Sequence, residues 1–286
     1  MTAWKLVAAL AASAAVFSAN SNAQAPIPAP QYSYADLADL ADAAPVVVDA
    51  RIRESIRVTG PAAANVPAGK ARFYVEADVL SLIRGVGGSP SKINYVTDVM
   101  LDTRGRAPKL KKSRVLLLAR PVSGQAGSLQ LVAPDAQIPW SESVDSRLRA
   151  ILTELTAPES PPRITEIGGA FHTAGTLPGE GETQIFLSTQ RGDPISVIVL
   201  RRPGQEPRWA VALGEIVDEA ARPPQRDTLL WYRMACSLPA RLPAKYLESI
   251  DPAQAEIAQA DYRIVREGLG RCVRTRGAAD QPPVPR

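Results

Sequence analysis

Residues 46–58 read VVVDARIRESIRV, and the alternation runs almost without a fault. Val46, Val48, Ala50, Ile52, Ile56 and Val58 fall on one side, and Asp49, Arg51, Arg53, Ser55 and Arg57 on the other. A period of two predicts a β-strand with one wet face. Similar runs follow at 71–84, 92–101, 113–119 and 128–132, each bounded by Gly, Pro, Asn or Asp at turn positions. Five short strands in succession predict an antiparallel barrel or sandwich. Upstream, Ser33 can cap a helix running to residue 43, on which Leu37 and Leu40 share a face. Downstream, SESVDSRLRAILTEL at 141–155 sets Leu148, Ile151, Leu152 and Leu155 at helical spacing behind Ser141 as cap. That helix closes a β-rich domain read at 33–157.

A proline-rich linker at 158–163 leads to a second domain, read at 164–276. Strands are expected near 164–171, 183–188, 195–201 and 208–216, with the turn-rich connectors PGEGE, RGDP and RPGQEP between them. Beyond Pro223 and Pro224 the pattern turns helical. Asp227 can cap TLLWYRMAC, and Asp251 followed by Pro252 opens a last helix whose apolar stripe is Ile257, Ile264, Val265 and Leu269. Trp209 and Trp231 read as core anchors. The fold class expected is α+β: an antiparallel β-rich first domain, then a sheet followed by helices, then a disordered tail at 277–286.

The first residues, MTAWKLVAALAASAAVFSANSNA, place Lys5 before an apolar run from Leu6 and end on the small-x-small triplet Ser21, Asn22, Ala23. This predicts a signal peptide over 1–23, a linker over 24–32, and a periplasmic or secreted protein. No later apolar run approaches the ~18 residues of a membrane span. The chain has 286 residues, 26 of them proline, which favours many turns and stiff connectors. Its two cysteines, Cys236 and Cys272, make an even count in an exported chain, so a disulfide between them is expected.

The single histidine, His172, sits in GGAFHTAGTLPGEGETQIFL, residues 168–187. A general base needs a hydroxyl within reach and a carboxylate to orient it. Ser188, Thr173 and Thr176 supply hydroxyls, and Glu180, Glu182 or Asp193 could orient the ring. The catalytic candidates are therefore His172, Ser188 and Glu182. No nucleophile elbow, zincin or P-loop spacing accompanies them. The simpler expectation is a loop in which Phe171 faces the core and His172 faces water. One histidine and two paired thiols leave no metal site and no cofactor expected. Paired acids for glycosidic chemistry would have to come from Glu76, Asp78, Asp98 and Asp102 on neighbouring strands.

Charge is the sharpest asymmetry. The whole chain carries only +4, yet no acid lies between Asp102 and Asp135, where Arg104, Arg106, Lys109, Lys111, Lys112, Arg114 and Arg120 all fall. TRGRAPKLKKSR reads as a basic hairpin, with Arg104, Arg106, Lys109, Lys111, Lys112 and Arg114 as its binding residues. The partners this charge suits are an anionic envelope component, such as lipopolysaccharide phosphates or lipid head groups, or an acidic protein. Nucleic acid is not expected, because no aromatic residue from 96 to 139 offers a stacking platform.

At VVVDARIRESIRV, ARFYVEADVLSLIRG and SRVLLLARPV the rhythm resembles small exported β-barrels of the oligonucleotide/oligosaccharide-binding class, netrin-like modules included, over residues 46–140. Netrin-like inhibitors act through an N-terminal cysteine wedge that this chain lacks, so the resemblance implies a barrel and transfers no functional residue. GTLPGEGETQIFL with RRPGQEPRWAVALGEIVDEA resembles exported proteins of unknown function from alphaproteobacteria, which implies an envelope location. The reading is an exported, non-catalytic binding or envelope-associated protein; the rival is an exported hydrolase using His172 as general base.

Overall fold

The computed structural model describes residues 32–88, 90–214, 221–248 and 251–276. The signal peptide read at 1–23, almost all of the linker read at 24–32, the end of the strand read at 208–216 and the tail read at 277–286 lie outside the described residues.

Helix α1 (Tyr34–Ala43) opens on a capping box: Ser33 Oγ accepts from Asp36 N, and the Asp36 carboxylate accepts from Ser33 N. Strands β1 (Val46–Arg57), β2 (Lys70–Arg84), β3 (Lys92–Met100), β4 (Arg114–Pro121) and β5 (Ser128–Leu131) follow. β1 pairs with β2 along one edge and with β4 along the other. β3 joins β5 in parallel at Asn94–Ser128 and Tyr95–Leu129, and β5 returns antiparallel to β4. The circuit β1-β2-β3-β5-β4 therefore closes into a five-stranded barrel, with a short β6 (Gln137–Pro139) added along β4. Val48, Ile52, Phe73, Val75, Tyr95 and Leu117 fill its interior.

The single wet face expected of β1 is not what forms. Val47 and Asp49 are as buried as Val48 and Ala50, because Val47 packs into the cluster that α1 and α2 (Glu142–Thr156) contribute to outside the barrel. A register shift between Ile52 and Glu54 then reverses the alternation, so Ile56, expected inside with Ile52, stands 53% exposed outside.

β7 (Ile164–Ala174), β8 (Gly181–Thr189), β9 (Ile195–Arg201) and β10 (Arg208–Ala212) form an antiparallel meander. α4 (Pro252–Leu269) packs on β7 and β8, and α3 (Leu229–Ala235) contacts α1, α2 and α4. The chain is thus α+β as expected. Leu37, Leu116, Leu148, Val197, Trp231 and Val265 belong to one cluster, so the two halves share a core. Trp231 anchors it and donates from Nε1 to the Leu269 carbonyl at 2.7 Å.

Three aspartates spaced by three residues on α1 are each held by the later part of the chain. Asp36 accepts from the Thr275 hydroxyl and from the backbone N–H groups of Thr275 and Arg276. Asp39 accepts from Tyr232 Oη and Arg274. Asp42 takes Arg233 and Arg163. Burial alone would raise the Asp36 and Asp42 carboxyls, but these donors outweigh it and hold both below the ordinary range. The expected disulfide, Cys236–Cys272, ties the end of α3 to the strand of chain carrying Arg274, Thr275 and Arg276.

Candidate functional site

The basic segment is not a hairpin. β3 and β4 are separated in the barrel by β5, so residues 101–113 cross the end of the barrel rather than turn back beside it. Leu110 is buried in the barrel core, with Leu101 and Ala107 packed against it, and the loop thereby plugs the barrel's end. Its return is pinned to β1 by Lys112 N to Ile52 O and Ile52 N to Ser113 O. Flanking an apolar plug, Lys109, Lys111 and Lys112 are forced outward into water.

The loop's cations divide into two groups. Arg106 is engaged by Asp102, which also accepts the backbone N–H groups of Arg106 and Arg104; those bonds, the Arg106 amide foremost, hold the Asp102 carboxyl below its usual value. Arg114 is engaged too. It forms a bidentate pair with the buried Asp49 and lies 3.8 Å from the centroid of the Trp140 ring. Among the described residues, Arg104, Lys109, Lys111 and Lys112 make no ion pair. Arg51, the exposed cross-strand neighbour of Arg114, adds a cation that the sequence reading left out; its signal is the RIR alternation of β1.

Three of the four acids considered for glycosidic chemistry are ion-pair partners: Glu76 of Arg53, Asp98 of Arg72 in a bidentate pair, and Asp102 of Arg106. Glu76 and Asp98 thereby neutralise cations on neighbouring strands, and Asp102, expected on a strand, lies in the barrel-end loop beyond β3.

The stretch around His172 is mostly sheet, not loop: β7 and β8 form a hairpin around residues 175–180. Glu180 folds the turn by accepting from the backbone N–H groups of Thr176 and Leu177. The expectation for Phe171 and His172 is inverted. A register shift between Ile167 and Gly169 flips the alternation, turning Phe171 outward and burying His172.

Inside the sheet, His172 Nδ1 lies 2.9 Å from Thr183 Oγ1, and the Thr183 hydroxyl donates to Asp261 Oδ2 at 2.5 Å. Asp261, on α4 and fully buried, also takes Arg201 Nε at 2.8 Å. Burial lowers the His172 pKa first; Asp261 pulls it up and Arg201 pushes it down. Ser188 is not part of this chain. It lies five residues along β8 from Thr183, roughly 17 Å away, and on the opposite face. Glu182 also points to that opposite face and accepts from Gln184 Nε2. The structure therefore does not bring His172, Ser188 and Glu182 together. Asp261, missed by the sequence reading, was signalled by its position: an acid between Ala258 and Val265 on the buried stripe of a helix.

Neither a protein-family model nor a curated protein matches the chain.

Proposed function

We propose that the chain is an exported, non-catalytic binding module whose barrel-end loop docks on an anionic component of the cell envelope. The observation that carries this reading is the anchored loop: Leu110 fixes it in the barrel core while Lys109, Lys111 and Lys112 stand outside without carboxylate partners among the described residues. A fixed array of like charge gives up less conformational entropy on binding than a mobile one. The Cys236–Cys272 bond supports an oxidising compartment, and no helix among the described residues is long and apolar enough to cross a membrane. The barrel circuit supports the oligonucleotide/oligosaccharide-binding class as its structural type.

The test is retention on vesicles of phosphatidylglycerol and phosphatidylcholine and on immobilised lipopolysaccharide. Wild type is expected to bind in a salt-sensitive manner, and the triple variant Lys109→Gln, Lys111→Gln, Lys112→Gln to lose that binding while melting at the same temperature. Equal retention of the two proteins would overturn the reading.

A further inference from the structure

The outward face of the second sheet bears a cavity of about 850 Å³ that involves none of the barrel-loop residues. Its floor is apolar, formed by Ile198 and Leu200 of β9 and Ala210 of β10. The register sets its charges. Glu182 pairs with Leu200 on one side and Arg208 pairs with Leu200 on the other, so an acid and a base flank one exposed leucine in a single cross-strand row. Two strand spacings put their Cα atoms about 10 Å apart. Arg202, two residues beyond Leu200 on the same face by alternation, adds a second guanidinium beside Arg208. Neither arginine makes an ion pair among the described residues.

The cavity therefore has Glu182 at one end, an apolar middle and Arg202 with Arg208 at the other, where Glu206 of the β9–β10 turn offsets part of their charge; Arg222 also lines it. Guanidinium groups bind carboxylates in bidentate fashion, and Glu182 has carboxylate capacity beyond the bond it accepts from Gln184. Three extended residues span roughly 10 Å, which matches the separation across the row. We propose that this cavity binds short peptides with free termini, of about three residues, with the C-terminal carboxylate on Arg202 and Arg208, the ammonium on Glu182 and an apolar side chain over Leu200 and Ile198. Glu206, which also lines the cavity, disfavours a ligand bearing a second anion.

The test is calorimetric titration of the full chain, after removal of residues 1–23, with alanyl-leucyl-alanine, its C-terminal amide and its N-acetyl form. The free tripeptide is expected to bind, the amide at least about tenfold more weakly, and the N-acetyl form likewise. Arg208→Gln should cost the free peptide part of what amidation costs, the double change Arg202→Gln with Arg208→Gln the whole of it, and both should leave the amide unaffected. Glu182→Gln should cost the free peptide what acetylation costs and leave the N-acetyl form unaffected. These side chains lie outside the core, so an unchanged melting temperature separates lost binding from lost folding. Absence of binding heat at millimolar free tripeptide, or equal affinity for the amidated peptide, would overturn the proposal.

Discussion

His172 donates its Nδ1 proton to Thr183 Oγ1 across 2.9 Å, because the only hydrogen on that hydroxyl is directed to Asp261. The neutral imidazole is thus held in the Nδ1–H form, with Nε2 against the backbone of Gly181.

A histidine buried neutral must charge as the pH falls, and the unfolded chain takes that proton more readily than the folded one. With the folded pKa below the ordinary 6.5, stability is complete above the unfolded pKa and declines as the pH drops below it toward the folded value. Since the chain has one histidine, urea midpoints at pH 5 and pH 7.5 should differ more for wild type than for His172→Gln. A parallel pH dependence in the two proteins would contradict the assignment. Imidazole NMR should report the Nδ1–H tautomer at pH 7.

Gly181 has ordinary backbone angles but no room. A Cβ there would lie 2.6 Å from His172 Cε1 and 3.0 Å from the Thr173 carbonyl oxygen. Gly181→Ala is expected to cost about 1–3 kcal/mol and to shift the His172 resonances, measured by denaturant unfolding and NMR. The same change at Gly179, where nothing stands within 4 Å but φ is +82°, should leave those resonances in place and cost only backbone strain.

Replacing Cys236 and Cys272 by serine opens a loop with a sequence separation of 36, worth about 4 kcal/mol in the loop-entropy picture. The loss should be uneven. Residues 274–276, which reach α1 from just beyond the bridge, should exchange amide hydrogens faster than the barrel strands do. Uniform acceleration across the chain would show that the bridge does not position this segment.

Trp140 Nε1 is the buried side-chain nitrogen or oxygen without a hydrogen-bond partner among the described residues. Trp140→Phe removes that donor and keeps an aromatic face for Arg114. Deleting an unsatisfied donor offsets lost contact area, so the melting temperature should stay within a few degrees of wild type, whereas Trp140→Ala should lower it clearly.

Helices were legible where caps and stripes coincide: Ser33, Ser141 and Asp251 cap as their positions suggested, whereas α3 is capped by Thr228, whose hydroxyl accepts from Trp231 N, and not by Asp227. The strands were legible too, except the three-residue β6, too short to show a period. What escaped was side-chain direction. In β1 the last of three register shifts, and in β7 the second of two, turned the residues that follow to the other face, sending Ile56 outward and His172 inward. Alternation marks a strand but does not reveal an inserted residue, although the pair Gly168 and Gly169 is a composition that permits one. For Asp261 it was the partner that was out of reach: its bond to Thr183 spans 78 positions, and local spacing says nothing about such partners.

The clasp on α1 has a consequence for assembly. Asp36 finds Thr275 across 239 positions, and Ser33 N lies 3.4 Å from Thr275 Oγ1, so the folded chain closes on itself like a ring. A ribosome releases α1 long before the residues that engage its aspartates, so Asp36, Asp39 and Asp42 meet the last of those partners only near the end of synthesis. The same closeness means that new ends could be cut at an exposed turn such as 175–180 once residues 33 and 275 are joined by a short bridge.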